Sequence, residues 1–165
     1  MTSPKILIAG IGNIFLGDDG FGVEVVRRLA DRAWPPGIRV ADFGIRGFDL
    51  ATALLDPHDL VLLVDAVQRG GKPGTLYLLE PGAVPDGPPS FEGHGMDPAQ
   101  VLRNVRAMGG SPGRVLVLGC EPESFGDPEA GRMGLSAPVA AAVDGALQMI
   151  ESTLNKALEE RAAHA

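Results

Sequence analysis

The chain of 165 residues contains a single cysteine, Cys120. No intrachain disulfide framework can support the fold, and a reducing compartment is expected. Aromatic residues make up only 5%, no cluster of lysine and arginine is interleaved with them, and 14 basic residues against 21 acidic ones leave a net charge of −7. Phosphate neutralisation and base stacking both lack a platform, so nucleic acid is excluded as a partner, and nothing draws the chain to an anionic membrane. No apolar run approaches the roughly 18 residues that a membrane span needs, and the run 6–9 is too short for the core of a secretory signal. The cytoplasm is the expected location.

Glycine and proline, by contrast, are plentiful, at 23 and 14 residues. Disorder would require low apolar content, whereas 45% of the chain is hydrophobic. The composition describes a folded, loop-rich chain, and its length fits a single domain over residues 1–165.

The apolar run 5–10, ended by glycine, has the pattern of a strand buried on both faces. Residues 19–33 place Val23, Val26, Leu29 and Ala30 at helical spacing, and prolines 35 and 36 stop that helix. A strand at 38–42, a short helix at 48–55 and the very apolar strand 60–67 complete a β-α-β-α-β start, which implies a parallel sheet. The link 68–74 is too short for a parallel crossover, so a fourth strand at 75–79 is expected to be antiparallel. A long loop (81–95), a helix (97–108), a fifth strand (114–119), an irregular stretch (121–134) and a last helix opening at Ser136 follow. The end of that helix is expected to fray. The predicted fold is α/β in three layers, with a mostly parallel, twisted five-stranded sheet, one antiparallel strand and helices on both faces.

Open parallel sheets bind ligands beyond the carboxyl ends of their strands. Asp18 and Asp19 follow the first strand, Asp42 ends the second, and Asp65 lies near the end of the third in an otherwise apolar run. A carboxylate buried there costs several kcal/mol unless it is paired or metal-bound, so Asp65 either caps a neighbouring loop or takes part in a site. His58 precedes the third strand and falls at the opposite edge, and His164 is in the tail, whereas His94 lies just before the third helix and falls on the same edge as the acids. Asp19, Asp65 and His94 then form an O,O,N set with open positions, suited to a divalent transition ion; its softness does not choose among zinc, nickel, cobalt and iron. One of Asp18 and Asp19 is expected to cap the first helix, for about 0.3–1 kcal/mol, and the other to enter the cleft.

Rival readings are weaker. Gly10-Ile11-Gly12 suggests a dinucleotide fingerprint, but its third glycine position holds Phe15 and the acids oppose a pyrophosphate. Cys120 with His94 as base would make a nucleophile, yet a cysteine ending an apolar strand is usually a small buried hydrophobe. No G-x-S-x-G elbow or H-E-x-x-H helix is present.

Ile6-Leu7-Ile8-Ala9-Gly10-Ile11-Gly12-Asn13 and Gly17-Asp18-Asp19-Gly20-Phe21-Gly22-Val23 together resemble the opening signature of the hydrogenase maturation endopeptidases. The likeness continues through Asp42-Phe43-Gly44, Leu63-Val64-Asp65-Ala66-Val67, His94-Gly95-Met96 and Gly119-Cys120-Glu121-Pro122. The resemblance implies an endopeptidase that cuts a C-terminal peptide from the nickel-loaded large-subunit precursor of a nickel-iron hydrogenase. Asp19, Asp65 and His94 match the family's catalytic and metal-sensing positions, and Asp42 matches a further acid near the cleft, expected to bind substrate. The nickel would arrive on the precursor, with zinc or cadmium as other ions able to occupy the site, and the enzyme would act as a monomer. The alternatives are a nickel-sensing binding module without proteolysis and a conventional zinc hydrolase.

Overall fold

Strand β1 (Ile6–Ile11) is buried along its whole length, and its alternate side chains feed two separate cores. In the computed structural model, which describes residues 2–82, 88, 90 and 97–164, β1 is an interior strand of a five-stranded sheet. A 3-10 turn (Gly17–Gly20) leads from it into helix α1 (Phe21–Ala30). Then come β2 (Ile38–Gly44), α2 (Gly47–Ala53), β3 (His58–Ala66), β4 (Leu76–Leu79), α3 (Pro98–Ala107), β5 (Gly113–Cys120) and α4 (Ala137–Ala163). Ile6, Ile8, Leu60, Leu62 and Val64 pack under α1 and α4, while Leu7, Ala9, Val61 and Leu63 face α2 and α3. The period of two along each strand thus builds both outer layers, each fully buried large apolar side chain contributing about 1.5–3 kcal/mol.

The strand order is β2-β1-β3-β5-β4, with β4 antiparallel to β5 and all other pairs parallel. Since β2 lies on one side of β1 and β3 on the other, the chain reverses direction across the sheet between them. That reversal opens a crevice at the carboxyl ends of β1 and β3, where such sheets bind ligands.

Two glycines let α1 start deep in this crevice. A Cβ on Gly22 would stand 2.0 Å from the Val64 carbonyl oxygen, and one on Gly10 would stand 2.5 Å from the Gly22 carbonyl oxygen. The helix therefore rests its first turn directly on strand backbone.

Most expected elements are present within a few residues of their predicted bounds, with two differences. The helix expected from residue 19 is a 3-10 turn followed by α1, and neither Asp18 nor Asp19 caps it: the first accepts from Ser136 and the second from Asn13. Of the end expected to fray, Ala162 and Ala163 are helical, and the last turn is tied down by Arg161, hydrogen-bonded to Thr2 and Ser3 and 3.3 Å from Asp59. Among the described residues no helix is long and apolar enough to cross a membrane.

Candidate active site

Five polar or charged residues are buried among the described ones: Asp18, Asp65, Asn104, Glu121 and Ser136. Four of them clasp loops; Asp65 does not. It sits next to last in β3, 3% exposed, and the one hydrogen bond that the described residues give it comes from the following amide, Ala66, at 2.8 Å. Burial pushes its carboxyl well above the usual range, and the charges of Asp19 and Asp97 push the same way against the Ala66 amide. A buried acid crowded by two others is a place that a cation would stabilise.

Asp19 stands on the 3-10 turn after β1. Its Oδ2 accepts the Asn13 amide at 2.9 Å, and burial raises its carboxyl despite that bond. Asp97 is the N-cap of α3, accepting the Gln100 amide at 2.8 Å, and its charge adds to the raising of the Asp65 carboxyl. Sequence reading had not singled it out. Asp42 lies at the end of β2, paired with Arg27 at 3.4 Å. His94 lies outside the described residues. Among the described residues no three His, Cys, Asp or Glu side chains come together as a metal site.

The other candidates separate cleanly. His58 opens β3 at the far edge, its Nδ1 2.9 Å from the Asp56 carbonyl oxygen. Cys120 is buried, and burial, reinforced by the charges of Asp18 and Glu121, pushes its thiol up to about 12. At neutral pH it is a thiol rather than a thiolate, unfit as a nucleophile.

Asp18 is fully buried, and its carboxylate is taken up by the segment 123–136. Burial raises its carboxyl, but bonds from the Ser136, Ser124 and Glu123 amides and the Ser136 hydroxyl outweigh it and hold the group below the usual range. Instead of capping α1, it serves the N-terminus of α4. Glu121 accepts the Arg69 and Gly71 amides and the Tyr77 hydroxyl, all on Oε1 at 2.8–2.9 Å, and so ties down the loop after β3. Asn104 exchanges two bonds with Ser90, at 2.8 and 2.9 Å. These loop clamps connect residues far apart in the chain, and no local pattern announces them.

Large apolar side chains are exposed on the loops and helix that follow β1 and β2 and on the segment before α4: Phe15 (60%), Met133 (63%), Ile45 and Phe48. The Arg132 amide donates to the Phe15 carbonyl at 2.8 Å, which brings the segments of Phe15 and Met133 together. Next to them lies a cleft of about 270 Å³ whose lining includes Ile14, Met133 and Leu135 together with Arg27 and Arg28. A larger cavity of about 780 Å³ lies at the opposite end of the sheet, lined by Asp59, Arg114, Glu160 and Arg161, whose charges pair with one another.

Comparison with known proteins meets this geometry. The hydrogenase maturation protease family, HycI, matches residues 23–153. The hydrogenase expression/formation protein HoxM of Azotobacter vinelandii is 35% identical over 152 residues, 90% of this chain and 72% of that one. The coenzyme F420 hydrogenase subunit delta of Methanothermobacter thermautotrophicus is 34% identical over 154 residues, 88% of this chain and 92% of its own. The solved structure of the hydrogenase-maturating endopeptidase HybD of Escherichia coli superposes with a TM-score of 0.73 at 29% identity, covering 92% of this chain and 93% of that one. With a five-stranded sheet, acids at its reversal point and likeness over most of its length, the chain belongs to the hydrogenase maturation protease family, and the protein is a peptidase.

Proposed function

We propose that the protein removes a C-terminal peptide from the nickel-loaded large-subunit precursor of a nickel-iron hydrogenase, in the cytoplasm and as a single copy. The observation that carries this reading is the placement of Asp65, buried, and Asp19, partly buried, at the sheet reversal, where the charge of Asp19 acts against ionisation of Asp65. Nickel held by the precursor's thiolates is substrate cargo. Its open positions would be filled by Asp19, Asp65 and His94, and the precursor would thereby be fixed with its scissile bond at the mouth. The donor set, two carboxylates and an imidazole, suits nickel and also zinc or cadmium.

Binding the ion would relieve the repulsion between Asp19 and Asp65, so the site is complementary to a loaded precursor and hostile to an empty one. Asp42, partly exposed beside the crevice, would receive a polar group of the substrate, and the apolar rim would receive its surface. Support for a hydrogenase as partner comes from the names of relatives, among them the hydrogenase 2 maturation protease of Escherichia coli.

The test is to incubate the purified protein with nickel-loaded precursor and weigh the large subunit by mass spectrometry. Loss of a C-terminal peptide is expected. Asp65→Ala and His94→Ala should fold normally and leave the precursor whole; full processing by both would overturn the reading.

A further inference from the structure

We propose that Asp18 is the positioning residue of the site, fixing from behind where the neighbouring Asp19 stands. The proposal rests on the reading of Asp19 as a site residue. Asp18 is fully buried and meets no surface that a substrate could reach. Its Oδ2 accepts the Glu123 amide at 2.7 Å, the Ser124 amide at 3.0 Å and the Ser136 hydroxyl at 2.8 Å, while its Oδ1 accepts the Ser136 amide at 2.7 Å. The backbone repeats the stitching. Asp18 donates to the Ser124 carbonyl at 3.0 Å, Gly17 donates to the Arg132 carbonyl at 2.8 Å, and Arg132 donates to the Phe15 carbonyl at 2.8 Å. Residues 15–18 are thus bound to 123–136 along their length.

Asp19 comes next, and its own hydrogen bonds stay inside the loop. Its amide donates to Leu16 at 3.1 Å and its carboxylate accepts from Asn13. Gly12, at φ +138°, makes room for it, since a Cβ there would lie 1.8 Å from the Asp19 carbonyl oxygen. Whatever holds the loop against 123–136 therefore places Asp19, and one carboxylate supplies four of those bonds. Ser136 reinforces the point: it is the N-cap of α4, yet its hydroxyl bonds Asp18 rather than its own helix.

The clamp needs a carboxylate. Four donors converge on two acceptor oxygens, and an asparagine, isosteric but with one oxygen replaced by a donor, would set its NH₂ against at least one of them. Asp18→Asn consequently separates charge and acceptor count from shape.

The experiment measures amide hydrogen exchange together with kcat and KM on nickel-loaded precursor, for wild type, Asp18→Asn and Ser136→Ala. In Asp18→Asn the Asn13 amide is expected to exchange about tenfold faster or more, while Leu7, Ile8, Leu62 and Leu63 stay within about threefold of wild type. Its kcat should fall about tenfold with KM within about threefold. Ser136→Ala removes one donor and should show the same pattern at about two- to fivefold. Unchanged Asn13 exchange or unchanged kcat in Asp18→Asn overturns the proposal, and so does a loss of protection spread evenly over the strands. If Asp18→Asn does not fold, Ser136→Ala decides by the same two readouts. A wild-type protein that leaves the precursor uncut would refute the proposed substrate, and Asn13 exchange would still show whether Asp18 positions Asp19.

Discussion

Asp19 and Asp65 both lie at the carboxyl edge of β1 and β3, and the charge on the first hinders ionisation of the second. A site built this way spends stability on function. Because the Asp65 carboxyl is raised in the folded chain, the fold binds its proton more tightly than the unfolded chain does, and this group's contribution worsens as pH climbs from the ordinary carboxylate range through the raised value. Asp65→Asn should therefore melt at or above the wild-type temperature near pH 7, by about 2–4 °C for each kcal/mol relieved, with the advantage vanishing near pH 3. The same variant should lose about 100-fold or more of its cleavage rate. Scanning calorimetry at the two pH values and a cleavage assay check both halves; a variant less stable than wild type at pH 7 would show that Asp65 is a structural acid.

Glu121 behaves in the opposite sense. Burial raises its carboxyl, but the Arg69 and Gly71 amides, the Tyr77 hydroxyl and the Arg69 charge outweigh it and leave the group below its usual range. Its contribution is present above the unfolded-state value, about 4.3, and drains away as pH falls through the lower folded value. Glu121→Gln should lower the urea midpoint at pH 7 and approach the wild-type midpoint near pH 3. A deficit that stays constant across this range would mean that the charge of Glu121 contributes nothing.

How far the sequence carried follows from the range of the interactions involved. The continuous apolar runs of β1 and β3 and the short 68–74 link depend on local chemistry, so the sheet, its antiparallel strand and the edge on which Asp19 and Asp65 lie were legible. The role of Asp18 was not, because its partners lie more than a hundred residues away in a segment with no regular pattern. Asp97 escaped notice for a related reason: its helix-cap position is visible locally, but its influence on Asp65 arises only when α3 is docked on the sheet.

Gly22 tests whether the crevice tolerates any widening. A Cβ there would lie 2.0 Å from the Val64 carbonyl and 2.6 Å from the Ile11 carbonyl, both backbone atoms that cannot turn aside. Gly22→Ala should force α1 outward from β1 and β3 and cost about 1–3 kcal/mol, the usual penalty of overpacking. Since the 3-10 turn moves with the helix, cleavage should fall by more than the loss of folded protein accounts for. Equilibrium urea denaturation and a cleavage assay on the folded fraction separate the two effects, and a fully active, fully stable alanine variant would show that the close approach carries no constraint.

Phe15 and Met133 are the most exposed large apolar side chains among the described residues, on segments that Arg132 joins beside the turn bearing Asp19. Exposure at this level means that neither side chain contributes to the core, so their replacement by serine should leave the melting temperature within about 2 °C of wild type. Covering one such side chain with a partner's surface is worth about 1.5–3 kcal/mol, and about 1.4 kcal/mol corresponds to tenfold in affinity. The double variant Phe15→Ser/Met133→Ser should therefore raise KM for the precursor about tenfold or more with little change in kcat, because the acids are untouched. Should KM stay at the wild-type value, the precursor would have to reach Asp19 and Asp65 from the side of Ile45 and Phe48, and the same measurement on Ile45→Ser/Phe48→Ser would then show the rise.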